Sequence, residues 1–598
     1  MSARWRRWWA EHDVAVSVLL VLAVALAASA SGLGNQFTYD DIPIIVENPM
    51  VTQLHAPSEY LTDSYWGPSR GNSLYRPLTV IGFALQWLAG RGSPFPFHLV
   101  NVLAYALSAV AALALFRLLL PRGAALVSGL AFAAHPVHAE AVANVVGQSE
   151  MMAAIPMLLA VALYVHDRQR GTLAVRTVAA IAVALVWALL TKEHGIVLPA
   201  LLLMTEVVFR GRGFAPPADG PSRPWMLARV LALIVAAYIV VRLSILGGFA
   251  GDAPHPALEG VGTVPRLWVM LGLVPQFLRL YFYPAALHPD YSPQAVPFLT
   301  SPAPGHIPGA LILLLAVALF AWAWRRDRVI AFALLWTGLT MGPISNILLA
   351  TGVLIAERTL FLPSVGMMLL VGRVVQRTWP HVVAYRARWV RVAVPAVGTL
   401  VLVALVAKSS EQQRVWEDNP TLFSTMVVEA PSNYRAHHAL GELFGAAASW
   451  KRAEEHLRIA DSLFPGYDLL ELSLARVLHF DDRCPEALPL YDSVLARRPD
   501  AEVAAIGRAA CLLEVRRLSE SREESLRGLA RGITPDPFRM LLQKAESSLA
   551  AWDTVDARNR WAREGLPTSR SDARLKVPVL MMRPGATGGR RKVPDSSP

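Results

Sequence analysis

The chain has 598 residues, of which 54% are hydrophobic and only 17% are charged, and its mean hydropathy is +0.39. A soluble protein of this size carries more charge, so the composition excludes an ordinary soluble enzyme and indicates a polytopic membrane protein. The net charge of +11 does not indicate a nucleic-acid partner. The arginines are spread through short loops between apolar segments and do not form one basic face.

The first apolar segment, 14–33, follows an N-terminal stretch that contains Arg4, Arg6 and Arg7. A cleaved signal peptide is the alternative, but the many later apolar segments favour a retained span. Positive charges accumulate on the cytoplasmic side of membranes, so we place the N-terminus there. Ten further spans are predicted, for a total of about eleven: 98–119, 123–134, 150–166, 174–190, 194–209, 226–246, 308–324, 328–342, 358–376 and 391–407.

Two long segments, 34–97 and 247–307, fall on the outer side in this topology. The first contains a run at 77–90 that is short for a span and that we interpret as a helix lying on the membrane surface. The second contains the amphipathic run "RLWVMLGLVPQFLRLYF". Counting the run at 77–90 as a span would reverse every later loop and send the arginine-rich loops outside. The charge bias argues against that alternative.

Ionisable residues gather at the predicted outer ends of the spans. Such groups are costly at membrane depth and persist where they face a cavity or one another. We therefore predict one shared outer polar cavity, formed by Asp40, Asp41, Arg76, His135, His138, Glu140, Glu150, Lys192, Glu193, His194, Asp290, Glu357 and Arg358.

Asp40 and Asp41 come just after the first span. A solvated loop or a helix cap would explain them, but two close carboxylates also raise one pKa towards neutrality, as a general base requires. Arg76 begins the surface helix at 77–90. It is either a lipid anchor or a side chain that holds the loop carrying Asp40.

The segment 135–152 contains His135, His138, Glu140 and Glu150. Zinc is an alternative here, but the spacing is not HExxH and no third ligand is evident. A hydrogen-bonded lining of the cavity is the preferred interpretation, and a divalent metal is not indicated.

Lys192 and Arg358 are the candidate phosphate ligands, one as a point charge and the other through paired hydrogen bonds. The alternative for each is an internal ion pair with its sequence neighbour, Glu193 for Lys192 and Glu357 for Arg358.

A charged, helix-rich segment, 408–566, follows the last span. Pro431, Pro465 and Pro499 mark a period of 34 residues in it. Two tetratricopeptide units, 434–467 and 468–501, are clear, and a third near 502–535 is weak because Ser521 and Gly528 fit the pattern only loosely. A generic helical bundle is the alternative. Residues 567–598 are predicted to form a disordered basic tail.

The chain has two cysteines, Cys484 and Cys511. Neither lies in a CxxC motif or a Cys/His cluster, so no metal site is indicated. They would pair in an oxidising compartment, but we expect two unpaired, buried thiols.

Six motifs occur in order along the membrane part: "YDDIPIIVENPMV", "YRPLTV", "FHLVNVLAYALSA", "AFAAHPVHAEAVANVVGQSEMMAA", "TKEHGIVLPALLL" and "AERTLFLPSVGMMLLVG". Together with the repeats, they resemble the transmembrane and tetratricopeptide-repeat O-mannosyltransferases over residues 35 to 500. The resemblance implies an all-α GT-C glycosyltransferase bundle in 1–407. An extracytoplasmic repeat domain in 408–566 would follow it.

In such enzymes an acidic motif lies in the first outer loop and another acidic residue begins the fourth span, which Asp40, Asp41 and Glu150 match. The implied donor is a dolichyl- or other polyprenyl-phosphate mannose, which is a substrate, so no cofactor is expected. The implied acceptor is a Ser or Thr hydroxyl of an exported protein held in the repeat groove. The few repeats and the Ala/Arg/Leu-rich composition depart from animal members and favour a bacterial inner membrane with an outward-facing site. In a eukaryote the endoplasmic reticulum membrane would be expected.

The expected chemistry is a single inverting displacement. Asp40, helped by Asp41, would act as base, and the reverse assignment of the two aspartates is the alternative. Arg358 and Lys192 would stabilise the departing phosphate. A polyprenyl-linked sugar transporter or flippase, and a non-catalytic repeat scaffold, are the alternatives from other classes. The set of candidate substrate-binding residues is Arg76, His135, His138, Glu140, Lys192, Glu193 and Arg358.

Overall fold

The structure is a computed structural model that describes residues 3–66, 74–211, 213–214, 222–248, 255–347, 350–531 and 535–552. Within these ranges the chain is helical. Its only β-type pairing there is an isolated bridge between Arg210 and Phe214, so the predicted all-α class is confirmed. The chain divides into two compact units, Met1–Leu422 and Phe423–Pro598.

Among the residues that the structure describes, seven helices of the first unit are long and apolar enough to cross a membrane, which makes the chain a multi-pass membrane protein. They are His12–Gly32, Phe95–Leu119, Val145–Gln169, Arg223–Leu246, Pro304–Arg326, Glu357–Ala384 and Arg388–Val415. The other four predicted spans fall on shorter helices: Arg122–Ala134, Val175–Thr191, Leu198–Phe209 and Arg328–Met341. Each of the eleven predicted spans therefore coincides with a helix.

The runs singled out in the two outer segments, 34–97 and 247–307, are helical as well, at Pro77–Gly90 and Thr263–Phe282. Each has two faces. Phe83 of the first helix is buried while Leu85 is exposed, and Leu273 of the second is buried while Phe282 is exposed.

Small residues set the distance between several helices of the first unit. At Gly372, a Cβ atom would lie 2.0 Å from Ser128 Oγ and 2.8 Å from the carbonyl oxygen of Ala124. The helices Phe361–Ala384 and Arg122–Ala134 can therefore approach this closely only because position 372 has no side chain.

We expect Gly372→Ala to destabilise the first unit by about 1–3 kcal/mol, because the added methyl group forces two helices apart. The matched control is Gly398→Ala, since a Cβ there would meet no atom within 4 Å. Thermal unfolding in detergent measures both variants. Equal unfolding temperatures would contradict the close approach.

The second unit contains three helix pairs whose first helices begin at Tyr434, Asp468 and Glu502, 34 residues apart. Their second helices begin at Trp450, Cys484 and Leu518, with the same spacing. The third pair, weak in the sequence, is complete. A further helix, Pro535–Trp552, follows it. The regular period matches tetratricopeptide repeats and not a generic bundle.

The turns within the three pairs share one backbone conformation. Ala448, Asp482 and Arg516, again 34 residues apart, have left-handed φ angles of 55°, 62° and 62°. Between the two helices of the first pair, Gly441 packs against Leu457, whose Cγ would be 2.5 Å from an added Cβ.

The expectation of two unpaired thiols is wrong. Cys484 and Cys511 are buried, as predicted, but they form a disulfide between the second and third pairs. The assignment of functional domains at 1–407 and 408–566 stays a prediction. The predicted tail, 567–598, lies outside the described residues, as do positions 553–566.

Candidate active site

Arg358 lies at the centre of a polar cluster in the first unit. Its Nη2 atom is 3.0 Å from Asp40 Oδ2, and its Nη1 atom is 2.8 Å from Glu140 Oε1. The backbone N–H of Arg358 also donates to Glu140 Oε2 at 2.9 Å. Three segments that are far apart in the sequence thus meet at one guanidinium group. We call Asp40, Glu140 and Arg358 the acidic–arginine cluster.

The three members of this cluster differ in exposure. The side chain of Glu140 is 1% exposed, that of Arg358 17% and that of Asp40 24%. Asp40 is therefore the carboxylate that an incoming molecule can reach. Burial, opposed by the charge of Arg358, raises the pKa of Glu140 to about 7, and the charges of Asp40 and Glu150 add to that increase.

The backbone just before Asp40 has an unusual conformation. Tyr39 has a φ angle of +51°, which is costly for a residue with a side chain. Its N–H donates to Asn419 Oδ1 at 2.8 Å, and the neighbouring Thr38 N–H donates to Asp41 Oδ2 at 3.1 Å. These two bonds hold the strained turn and so fix the position of Asp40.

Asp41 is fully buried and bridges two segments. Besides Thr38 N–H, it accepts the N–H of Val146 at 3.0 Å through Oδ1. Burial outweighs these hydrogen bonds and raises the pKa of Asp41 to about 7. Asp41 thus ties the outer loop to the turn Val145–Gly147, from which the helix bearing Glu150 begins.

The raised pKa of Asp41 predicts a pH dependence of stability. The folded chain binds this proton more tightly than the unfolded chain, whose carboxyl has an ordinary pKa of 3.8. The contribution of Asp41 to stability is therefore full below about pH 4 and is lost as the pH rises to about 7.

We expect the difference in unfolding temperature between the wild type and Asp41→Asn to decrease as the pH is raised from about 5 to about 8. The reason is that only the wild type has a titrating carboxyl group at position 41. Thermal unfolding in detergent at both pH values measures this difference. The exposed Glu47→Gln, measured in the same way, provides the comparison for removal of a carboxylate from the same loop. A constant difference for Asp41→Asn would contradict the prediction.

Glu150 and Lys192 form a second, buried ion pair. Glu150 Oε2 also lies 3.7 Å from His194 Nδ1. This pair lies near the acidic–arginine cluster, since the charge of Glu150 acts on Glu140 and that of Arg358 acts on Lys192. Lys192 therefore contacts Glu150, and the alternative pair with Glu193 is not the one that forms.

Glu193 instead accepts a hydrogen bond from Arg76, with 2.8 Å between Glu193 Oε2 and Arg76 Nη2. Its Oε1 atom lies 3.3 Å from Arg242 Nη1. Burial raises the pKa of Glu193, but the two arginines lower it further, to about 2. The guanidinium carbon of Arg76 lies 4.9 Å from the ring centre of Tyr65. Arg76 thus joins the outer loop to the 191–195 turn, through its contacts with Glu193 and Tyr65.

The two predicted histidines have neighbours of a different kind. His135 Nε2 lies 2.9 Å from the carbonyl oxygen of Tyr281, and His138 Nε2 lies 2.8 Å from Ser364 Oγ. The His138 ring also contacts Phe132 and Phe361. Both rings are buried, and burial lowers the pKa of His135 to about 4. Their contacts indicate neutral, hydrogen-bonded core residues.

The alternative helix-end pair between Glu357 and Arg358 is not the one that forms. Glu357 Oε1 accepts from Tyr291 Oη at 2.5 Å and from the His288 N–H at 2.7 Å. The carboxylate is therefore held by hydrogen bonds next to Arg358, which is left to contact Asp40 and Glu140.

Sequence reasoning did not select three residues that support the site: Tyr65, Arg242 and Asn419. Arg242 lies within an apolar span. A charged residue in such a segment usually has a polar or charged partner, so its role in the site could have been predicted. Tyr65 and Asn419 carry no such signal. Asn419 acts on Tyr39 across 380 positions.

The carboxylates of the cluster face cations of the protein itself. Among the described residues, the group of His, Cys, Asp or Glu atoms close enough to share a metal ion lies in the second unit, at His479, Cys484 and Cys511. The acidic–arginine cluster is therefore suited to bind an anion that competes for Arg358, and to accept a proton at Asp40.

Comparison with known proteins adds a second line of information. No protein-family model matches the chain. The chain is 24% identical to the protein O-mannosyl-transferase TMTC3 of Homo sapiens, over 86% of this chain and 64% of that protein. It is 25% identical to the protein O-mannosyl-transferase F38B6.6 of Caenorhabditis elegans, over 76% of this chain and 63% of that protein. A match of 31% identity to the protein O-mannosyl-transferase Tmtc2 of Drosophila melanogaster covers 47% of this chain and 31% of that protein.

The chain thus spans less than two thirds of the length of these curated relatives. The matches to the human and Caenorhabditis elegans proteins nevertheless extend over most of this chain, and they agree with the resemblance that the ordered motifs and the repeats carry. The chain is a homologue of the transmembrane and tetratricopeptide-repeat O-mannosyl-transferases.

Proposed function

We propose that this protein is a membrane-embedded glycosyltransferase that moves a sugar, mannose, from a polyprenyl-phosphate donor to Ser or Thr hydroxyls of exported proteins. The observation that carries the proposal is the meeting of Asp40, Glu140 and Arg358 at one partly exposed point. A transfer from a lipid phosphate needs a base on the acceptor side of the anomeric carbon and a phosphate ligand on the opposite side, and this cluster offers Asp40 for the first role and Arg358 for the second. The relatives are named protein O-mannosyl-transferases, which supports the same reaction class.

The proposed reaction is a single displacement. Asp40 takes the proton of the acceptor hydroxyl as the hydroxyl oxygen bonds to the anomeric carbon of the sugar. The bond between that carbon and the phosphate oxygen breaks on the opposite face, so the anomeric configuration inverts. The polyprenyl phosphate leaves with the bonding electron pair.

Arg358 has two functions in this scheme. Without donor, its single positive charge is shared between Asp40 and Glu140. When the donor phosphate binds, it competes with Asp40 for the guanidinium, so the Arg358 side chain turns towards the phosphate and Asp40 becomes free to accept a proton. Glu140, which is almost fully buried and bonds to both the side chain and the backbone of Arg358, anchors this residue while the Nη2 edge of the guanidinium turns from Asp40 to the phosphate.

Negative charge grows on the phosphate as the bond to the sugar breaks. Hydrogen bonds from Arg358 therefore become stronger in the transition state, which is the requirement for catalysis. Lys192 adds a second positive charge nearby, and Glu150 holds it. Asp41 is a positioning residue, because it is buried and bonds to backbone N–H groups on both sides of the site.

We further propose that the site faces the outer side of a bacterial inner membrane, with the repeats on that side presenting the acceptor. The arginine-rich loops support this topology. The disulfide between Cys484 and Cys511 supports an oxidising compartment for the second unit. The concave groove that tetratricopeptide repeats form is the element that would hold an extended acceptor chain.

A reconstituted assay tests the proposal. Purified protein in vesicles receives radiolabelled polyprenyl-phosphate mannose, polyprenyl-phosphate glucose or a sugar nucleotide, together with an extract of exported proteins. We expect label on protein from the mannosyl lipid alone, in an alkali-labile O-linkage to Ser or Thr. A scaffold would label nothing with any donor, and a flippase would move labelled lipid between leaflets without labelling protein. Either result would overturn the assignment.

A further inference from the structure

A compact set of metal-ligand side chains lies in the second unit, outside the site described above. Nitrogen of His479 and the sulfurs of Cys484 and Cys511 lie within 4.8 Å of one another, and all three residues are buried. Glu514 joins them, with Oε2 3.2 Å from Cys484 Sγ and Oε1 3.3 Å from His479 Nε2. Sequence reasoning found no Cys/His cluster because these residues come from three different helices.

We propose that His479, Cys484, Cys511 and Glu514 form a zinc-binding site when the disulfide is reduced. Two sulfurs, one imidazole nitrogen and one carboxylate oxygen are a four-ligand set that zinc accepts in tetrahedral geometry. The absence of solvent around the sulfurs and the histidine ring fits a closed structural site rather than a catalytic one.

The surroundings of His479 also fit a metal ligand. A metal-bound histidine usually bonds through its second ring nitrogen to a neighbour that fixes its orientation. With Nε2 facing Glu514, the other nitrogen, Nδ1, lies 3.4 Å from the buried Tyr491 Oη. Tyr491 in turn packs against Gly507, where an added Cβ would lie 2.5 Å from its ring. The ring is therefore held from both sides.

The disulfide and the zinc ion are alternative links between the same helices. Reduction by a dithiol or a phosphine adds two electrons and two protons and gives two thiols. Zinc binding then releases the two thiol protons, because zinc binds thiolates. Both links join the second helix pair to the third, so the repeats keep their arrangement in an oxidising and in a reducing compartment.

The test uses the full chain in detergent, first purified with its disulfide intact. The chain has two cysteines in total, so a thiol titration reports directly on this site. After reduction by a phosphine that does not bind zinc, we expect one zinc ion to be retained per chain and both thiols to resist alkylation. The oxidised protein should retain none. Cobalt in place of zinc should give thiolate-to-metal absorption in the reduced protein alone.

The variants are made and checked in the oxidised state, where the disulfide holds the helices. We expect His479→Ala and Glu514→Gln each to weaken zinc binding by about tenfold or more, while His456→Ala in the first pair leaves it unchanged. Reduced wild type that retains no zinc would overturn the proposal. So would zinc that is bound equally well by His479→Ala, since the histidine would then not be a ligand.

Discussion

Asp40→Asn should lose sugar transfer by about 10²–10⁴-fold, the contribution of a positioned general base. Asparagine keeps the size of the side chain and can still accept a hydrogen bond from Arg358, so the cluster should assemble. It cannot take the proton from the acceptor hydroxyl. The loss should fall on the turnover number and not on the apparent affinity for the lipid donor.

Donor affinity gives this prediction a second readout. In the wild type, Asp40 competes with the donor phosphate for Arg358, because its carboxylate lies 3.0 Å from the guanidinium. Asp40→Asn removes that competing charge, so the donor should bind as tightly as before or more tightly. Binding of a fluorescent polyprenyl phosphate to protein in nanodiscs measures this.

The control for Asp40→Asn is Glu47→Gln, an exposed carboxylate in the same outer loop. It should transfer sugar at the wild-type rate. Full transfer by Asp40→Asn would exclude Asp40 as the base. Loss of both transfer and donor binding would mean that Asp40 builds the donor site and has no proton-transfer role.

Much of the fold was predictable because its signals are local. Membrane helices are marked by continuous apolar length, and each predicted span coincides with a helix. The repeats are marked by their period. The third pair was underestimated because Ser521 and Gly528 departed from the expected pattern. In the structure the Ser521 hydroxyl bonds to the Ala509 carbonyl oxygen at 2.8 Å, and Phe538 leaves no room for a Cβ at Gly528. Phe538 belongs to the helix Pro535–Trp552, which follows the third pair, so the pattern of one repeat does not include it.

The contacts within the site were only partly predictable from local sequence signals. The sequence predicted that ionisable residues gather at one end of the spans, since their cost in a membrane requires it. It could not predict their partners, because a pair such as Lys192 with Glu150 depends on how each helix is rotated and where it starts. Lys192 and Glu193 are neighbours in sequence, yet they contact different side chains. The same limit hid the pairing of Cys484 with Cys511.

The second large effect concerns Arg358 and needs a paired design. Arg358→Ala alone would leave Glu140 buried without its cation, at a cost of about 3–5 kcal/mol, and a loss of activity would then be explained by misfolding. In the double variant Arg358→Gln with Glu140→Gln, both charges are removed together. Two amides of similar size can still bond to each other, so we expect this variant to insert and fold.

This double variant should lose donor binding by about tenfold or more and transfer by considerably more, because charge-assisted bonds to the phosphate are strongest in the transition state. Nanodisc binding of a polyprenyl phosphate and the vesicle transfer assay measure the two effects.

A matched control exists within the same unit. Arg168 forms an equivalent pair with Glu206, with both nitrogen–oxygen distances at 3.0 Å, in helices whose ends are predicted to face the cytoplasm. Arg168→Gln with Glu206→Gln likewise removes one buried cation and its carboxylate partner, at a distance from the cluster. If the phosphate is held by Arg358, this control keeps donor affinity while the Arg358 double variant loses it. If both double variants lose affinity equally, the loss reports general damage to the helix bundle, and Arg358 has no specific role in binding the donor.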